Sequence, residues 1–405
     1  MIPVEQALER ILASFTPLPA ETVALSASVG RGLAEDVVAR RSQPPSAVSA
    51  MDGYAVRASD ISQTPVTLTC VGEAPAGGAF EGVVAPGQAV RIFTGGPVPA
   101  GSDAVVMQED VDAGDFPAIV IREPATQGKF IRPAGLDFTE GTVGVKAGRK
   151  LAPSDIGLAA AMNVPWVQVR RKPRVALLAN GDELVRPGEP IEPNQIVSSN
   201  SLALAALVKE AGGEPIDLGI SADNELSLKA LARGAAGADM LVTMGGASVG
   251  DHDLIRSVLG PEGLEVDFWR IAMRPGKPLI FGRFGATPMI GVPGNPVSAL
   301  VCALVFMVPA IQKMLGHDTG QRAYGAALLG RDLRENDRRQ DYMRAKLALD
   351  DAGNLVATPF DVQDSSVLSG LSQADCLVVR PPFAPAAEAG SPVSILPLKL
   401  PWLPL

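Results

Sequence analysis

Residues 175–244 open with VALLAN (175–180), pass through SLALAALVKEAG (201–212), PIDLGI (215–220) and ELSLKALARGAA (225–236), and close with DMLVTM (239–244). The first, third and fifth of these are short apolar runs of strand length. The second and fourth carry apolar residues at helical spacing, and SLALAALVKEAG stops at Gly212 and Gly213. Strand and helix in alternation imply right-handed crossovers and a mostly parallel sheet with helices on both faces. LIFGRF (279–284) and PMIGVPG (288–294) predict two further strands before a long helix from Pro296. Ligands in such sheets sit beyond the carboxyl ends of the strands.

On either side the pattern changes. MIPVEQALERILASF (1–15) reads as an amphipathic helix with Val4, Leu8, Ile11, Leu12 and Phe15 on one face. Its acids Glu5 and Glu9 are foreign to a signal peptide. TPVTLTCV, AVRIF, DAVVMQ, AIVIRE and GTVGVKAG, between 64 and 148, are β-branched runs separated by Pro/Gly clusters, the mark of a small β module. LAPSDIGLAAAMNV (151–164) predicts a helix leading to the basic joint RRKPR (170–174). After about 323, YMRAKLALD, NLVATPF, CLVVRP and VSILPL read as the short strands of a second β module.

With 405 residues, 47% hydrophobic and 20% charged, the chain has apolar surface for several cores, and its length favours two to four domains. A net charge of −9 argues against a general nucleic-acid binder. Two histidines, His252 and His317, and three scattered cysteines leave no zinc-ligand spacing and little scope for a Ser-His-Asp triad, so any metal must be held by oxygen. The cysteine usage suits a reducing compartment, and the chain reads as cytosolic. VSALVCALVFMVPAI (297–311) is fifteen residues, short of the ~20 that cross a bilayer, and reads as a buried helix.

Each predicted strand end runs into an unusual loop: Asn180 to Glu183, Ser221 to Asp223, Gly245 to Gly250 with Asp251 and Asp253, and Pro293 to Pro296. All four should emerge on one edge. The GGASVG loop offers backbone N–H groups of the kind that hold phosphate, although a tight turn accounts for it equally well. Asp223, Asp253 and Glu183 would repel a phosphate unless a cation intervened, and Mg²⁺ suits oxygen ligands of this number. Asp182 and Asp251 read as acids that serve a turn or helix start. RPGKP (274–278) presents Arg274 and Lys277 from a stiff loop that suits a small oxyanion, or forms a solvated basic turn. SAMDGYAV (49–56), which sets Asp52 and Tyr54 in a turn, RIFTGGPVPAG (91–101) with Thr94, and FIRPAGLDF (130–138) with Asp137 are each explained as well by turn formation.

Taken together, SAMDGYAVR, RIFTGGPVPAGSDAVV, NGDEL, MGGASVGDHD, PGKPLIFG and VPGNPVSA resemble, in order and spacing, the molybdopterin molybdenumtransferase family, the MoeA and gephyrin C-terminal-region proteins. The resemblance runs from near residue 1 to beyond 390. It implies a central three-layer α/β molybdopterin-binding domain, MogA-like, at 171–322, with an N-terminal helical domain at 1–46 plus 139–170. It further implies an inserted β domain at 47–138 and a C-terminal β-barrel domain at 323–405.

By the same resemblance the chain is a cytoplasmic homodimer whose cleft lies between the α/β domain of one copy and the N-terminal domains of the other. The implied reaction inserts molybdate into the dithiolene of adenylylated molybdopterin with Mg²⁺-dependent release of AMP. A molybdopterin adenylyltransferase would supply the substrate, and neither nucleic acid nor membrane would be a partner. Carried over by motif, Asp52, Thr94, Asp137, Glu183 and Lys277 match positions needed for activity, and Asp223 and Asp253 match metal-side acids. Gly245, Gly246, Ser248, Gly250, Pro293, Pro296, Ser298, Arg344 and Ser365 match substrate contacts. So does Arg274, which stands where the family's KPGKP has its first Lys. The rival expectations are a non-catalytic gephyrin-like scaffold and a nucleotide hydrolase on the same fold.

Overall fold

The computed structural model describes residues 1–113, 115–245, 254–317 and 324–398. At its centre, strands Glu214–Ser221, Arg174–Asn180, Met240–Met244 and Thr287–Val292 lie side by side in that order and run parallel. Their carboxyl ends therefore share one edge, as the loop positions predict. Pro278–Phe284 continues the sheet as the antiparallel half of a hairpin with Thr287–Val292, and Leu264–Arg270 closes it antiparallel at the margin.

Alternation along the central strand builds both layers. Val175, Leu177 and Ala179 pack with Leu204 and Val208 of helix Asn200–Glu210. Ala176 and Leu178 face the other way, onto Leu228 and Ala232 of helix Glu225–Ala232 and Ile255 of helix Leu254–Leu259. Successive strand side chains point to opposite faces, so one apolar run serves two helix layers.

The long helix spans Pro296–Met314, nineteen residues with mean hydropathy 1.9, long and apolar enough to cross a membrane. Within its most apolar window 67% is buried inside the protein. It outruns the fifteen-residue apolar stretch because Gln312 and Lys313 extend it by a turn. Pro309 is accommodated: Ala303–Met307 widen into a π-type turn just before it, relieving the clash that a proline ring makes with the preceding turn.

Helix Val4–Ala13 forms as its spacing predicts, and its face of Val4, Ala7 and Ile11, followed by Phe15, is buried in the same core as Ile311 and Met314 of the long helix. The next part of the chain has its own core. Leu33 from an isolated bridge and Val37 and Val145 from short strands meet Ala159 and Met162, which belong to helix Pro153–Ala161 and its end, and Val167 and Val169 from strand Trp166–Arg170. Between them the inserted segment folds into a six-stranded sheet over 53–121 with apolar clusters on both faces. Gly53–Val56 is one of its strands, so Tyr54 belongs to a strand and not to the expected turn.

The C-terminal segment closes into a five-stranded barrel. Gln340–Leu349 pairs with both Leu355–Pro359 and Cys376–Arg380, and Gly325–Leu329 and Pro392–Pro397 complete the ring. Its interior is filled by small or branched residues, Ala327, Ala345, Ala357, Cys376, Val378 and Ile395. A barrel of so few strands leaves room for little more. The short strand Met273–Arg274, from the α/β unit, adds in parallel to Gln340–Leu349 and ties the two units together.

Candidate active site

The shared strand edge opens into a cleft of about 980 Å³. Its lining includes Asn180, Glu183, Asp223, Gly245, Pro278, Pro293, Pro296 and Ser366, with the Pro293–Pro296 loop close against Gly245. Gly245 leaves its strand at φ +86°, and a Cβ there would lie 2.6 Å from the Asn180 carbonyl oxygen, so only glycine lets the two loops approach this closely. Gly246, Ser248, Gly250 and Asp253, expected to hold phosphate and metal, lie outside the described residues, as does Asp251.

Asp223 is fixed by its neighbours. Its carboxylate accepts hydrogen bonds from Asn180 Nδ2 at 2.6 Å and from the Asp182 N–H at 3.3 Å, while Asp182 Oδ1 accepts the Asp223 N–H at 2.9 Å. Asp182 thus has the structural part expected of it, although it braces two loops and caps no helix. Asn180 is a residue whose role the sequence reading missed. With Nδ2 committed to Asp223, its Oδ1 is buried without a hydrogen-bond partner. Asn200 repeats the arrangement: Nδ2 donates to the Gly294 carbonyl at 2.7 Å and Oδ1 is left as an orphaned acceptor beside the same cleft. Buried acceptors without partners are rare enough to need a reason, and a bound donor supplies one. Asn200 escapes notice in the sequence because Asn at a helix start reads as a cap.

The loop Val362–Val367 docks on the start of the long helix. The Val297 N–H donates to the Ser365 carbonyl at 3.1 Å and Asn295 Nδ2 to Ser365 Oγ at 2.9 Å. Ser298 is buried one position further on. The docked loop is held from behind by Arg344, which is 1% exposed. Its Nε donates to Gln363 Oε1 at 3.2 Å, Nη1 to the Asp364 and Val367 carbonyls at 2.9 and 3.0 Å, and Nη2 to the Val362 carbonyl at 3.2 Å. Burial lowers the pKa of this guanidinium. Expected as a substrate contact, Arg344 is directed at the loop that carries Ser365.

Lys277 and Arg274 part company. Gly276, between them in sequence, stands at φ +113° where a Cβ would lie 2.5 Å from Cys302 Sγ, one helical turn beyond Ser298. The loop therefore sits against the helix face that carries Ser298. Lys277 is half-buried and makes no ion pair or side-chain hydrogen bond among the described residues. Arg274 bonds Asp341 directly, with Asn336 Oδ1 at 3.3 Å and Asp337 Oδ2 at 3.5 Å. Burial pushes the Asp341 carboxyl above its ordinary value despite the adjoining guanidinium.

In the inserted sheet Asp52 and Thr94 come together across forty-two positions. Asp52 Oδ1 accepts the Thr94 N–H at 2.7 Å and its hydroxyl at 2.8 Å. These bonds, the backbone one foremost, with Arg91 adding a weaker attraction, hold the Asp52 carboxyl below the ordinary carboxylate value. The pair's contribution is therefore present at neutral pH and is lost only as pH falls through that lowered value. Replacing Thr94 by Val removes the hydroxyl and keeps the N–H, so the Asp52 pKa should rise part of the way back; an NMR titration that finds it unmoved contradicts this geometry. Asp137 is exposed, its N–H bonded to the Gln43 carbonyl at 3.0 Å. No described residue lining the cleft precedes Ala179, so Asp52, Thr94 and Asp137 do not line the cleft of their own chain.

Comparison with known proteins agrees over the whole chain. Residues 2–163 match the MoeA N-terminal region (domain I and II), 176–313 a probable molybdopterin binding domain, and 326–398 the MoeA C-terminal region (domain IV). A molybdopterin molybdenumtransferase of Nostoc sp. is 37% identical over 389 residues, covering 94% of this chain and 89% of that protein. One from Haemophilus influenzae is 34% identical, with 98% of each chain covered. Two solved structures of a molybdopterin biosynthesis MoeA protein from Pyrococcus horikoshii, 34% and 28% identical, superpose with TM-scores of 0.85, cover 98% of this chain, and are themselves covered to 99% and 100%.

Proposed function

The chain belongs to the molybdopterin molybdenumtransferase family, transferases of molybdenum cofactor biosynthesis, and from that premise we propose that it inserts molybdate into the dithiolene of adenylylated molybdopterin and releases AMP. The observation that carries this is one cleft lined both by acids and by the neighbours of Lys277, Ser298 and Ser365. Asp223, held by Asn180 and Asp182, and Glu183 line it together with Pro278, which follows Lys277, Pro296, at the start of the helix that carries Ser298, and Ser366, which follows Ser365. A substrate that carries a diphosphate and reacts with an oxyanion needs acids for a bridging cation and bases for the oxyanion within one space.

The acids fit Mg²⁺. Glu183, Asp223 and the orphaned Asn180 Oδ1 are all hard oxygen donors. No group of three His, Cys, Asp or Glu side chains occurs among the described residues, and Mg²⁺ asks for only one or two carboxylates when phosphate oxygens and water complete its shell. Bound there with Asp223, and with Asp253 from the undescribed loop, the ion would neutralise charge on the diphosphate. The chain's own groups do the rest. Gly245 opens the loop whose N–H groups receive the phosphate, Lys277 attracts the doubly charged molybdate, and Ser298 and Ser365 orient it beside the dithiolene.

Asp52, Thr94 and Asp137 enter the same reading through a homodimer, in which a second copy brings them to the cleft; their absence from the lining of their own cleft supports it. We keep the four-part division at 1–46 with 139–170, 47–138, 171–322 and 323–405; the clusters around Leu33 and Val169, in the inserted sheet and inside the barrel support it, while helix Val4–Ala13 packs into the α/β core. We also keep a cytoplasmic location and a molybdopterin adenylyltransferase as donor. The test is AMP release from adenylylated molybdopterin, followed by chromatography with and without molybdate and Mg²⁺. Molybdate should accelerate it in the presence of Mg²⁺. Release indifferent to molybdate would assign a hydrolase, and no turnover a scaffold.

A further inference from the structure

The loop Ile271–Pro278 is secured at three places. Met273 and Arg274 pair in parallel with Gln340 and Asp341 of the barrel, and the Gln340 N–H donates to the Ala272 carbonyl at 2.8 Å. The Ile271 N–H closes the loop on the Lys277 carbonyl at 3.2 Å. Gly276 rests on Cys302 of the long helix. Within this frame the Arg274 side chain points toward the barrel. Asp341, its direct partner, has a side chain only 8% exposed.

The other partners are themselves immobilised. Asn336 Nδ2 donates to the Arg339 and Pro381 carbonyls at 2.7 and 2.9 Å, and Asp337 is gripped by Arg339. An oxyanion seeking the Arg274 terminal nitrogens would have to displace two carboxylates, one of them buried. Lys277, three residues on, has no such competitor among the described residues. Two cations of one motif therefore hold different posts.

We propose that Arg274 is a positioning residue: through Asp341 it pins the Lys277 loop to the C-terminal barrel so that the Lys277 amine faces molybdate, and it does not bind the oxyanion itself. The proposal rests on the reading of Lys277 as the molybdate ligand. It makes the barrel part of the catalytic apparatus, because the loop that meets the substrate is registered by a barrel strand. It also gives the Arg at this position a reason: a planar fork reaches Asp341, Asp337 and Asn336 together, where an ammonium would satisfy fewer of them.

The test is the molybdate KM and kcat of the full-length protein as wild type, R274A, D341N, the double variant R274A/D341N, R274K and K277A. Each single loss at 274 or 341 should raise the molybdate KM roughly tenfold through a misplaced loop, with a smaller change in kcat. The double variant should be no worse than either single one, since both remove the same link. R274K should recover only part of the loss, since an ammonium keeps the link to Asp341 and gives up the other partners. A raised KM in R274A with an unchanged or lowered KM in D341N would overturn the proposal, because Arg274 would then be an oxyanion ligand that Asp341 merely competes for. An unchanged molybdate KM in K277A, whatever the others do, would instead remove the reading of Lys277 beneath it, and the proposal with it. Asn in place of Asp keeps the volume of the buried side chain, and a thermal melt of each variant separates loop misplacement from unfolding.

Discussion

Replacing Lys277 by Ala should lower kcat/KM for molybdate roughly 10²- to 10³-fold while leaving the melting temperature nearly unchanged. The size follows from removing a charge-assisted donor aimed at a dianion in a partly enclosed site, where such interactions cost about this much to lose. The unchanged stability follows from what Lys277 does in the fold: its amine is committed to no ion pair or hydrogen bond among the described residues, and its removal leaves no partner stranded. Surface or half-buried changes of this kind stay within about 0.5 kcal/mol. Lys277→Arg should retain part of the activity, since the charge survives and its shape changes. Steady-state kinetics at varied molybdate, with a thermal melt on the same preparation, checks both halves. Wild-type kinetics in the Ala variant would remove the oxyanion from the proposed cleft.

The sequence predicted the parallel strands and the edge on which their loops gather, because fully buried strands are written as unbroken apolar runs. It was weaker where local pattern stopped carrying information. Leu264–Arg270 alternates apolar residues with Glu265 and Asp267 before Trp269 breaks the pattern, and so short an alternation at a sheet margin carries little strand signal. Gly325–Leu329 is built of Gly, Ala and Leu, which suit a narrow barrel interior and carry little strand signal. Closure of the barrel through Gln340–Leu349 and Cys376–Arg380 is a long-range pairing with no local trace.

The site shows the same division. Motifs located the cleft loops, since loops at strand ends concentrate unusual residues. They did not tell a committed cation from a free one. Arg274 meets acids 63 and 67 positions away, whereas Lys277 meets none that is described, and nothing in RPGKP distinguishes the two. Asp52 and Thr94 were each explicable as turn residues until the fold joined them.

Arg344 carries the other large expected effect, and there it falls on stability as well as on activity. Arg344→Met should destabilise the C-terminal barrel by about 3 kcal/mol, since it removes a buried guanidinium that donates to the part-buried Val362, Asp364 and Val367 carbonyls and to Gln363. For a unit of this size that is a fall of roughly 10 °C or more in its melting temperature. Activity should fall as well, through loss of order in Val362–Val367, which carries Ser365 to the helix start. Arg344→Lys should recover little. One ammonium on a flexible stem cannot reach acceptors spread over residues 362–367, and it would bury a more strongly hydrated charge. Differential scanning calorimetry compares the two variants with wild type, and proteolysis within 362–367 reports the loop itself. A Met variant that melts like wild type and loses only molybdate affinity would make Arg344 a direct ligand, and would require its guanidinium to leave the carbonyls it now serves. The contrast between the two cations is thus measurable in one pair of experiments: lost activity without lost stability at Lys277, and lost stability with lost activity at Arg344.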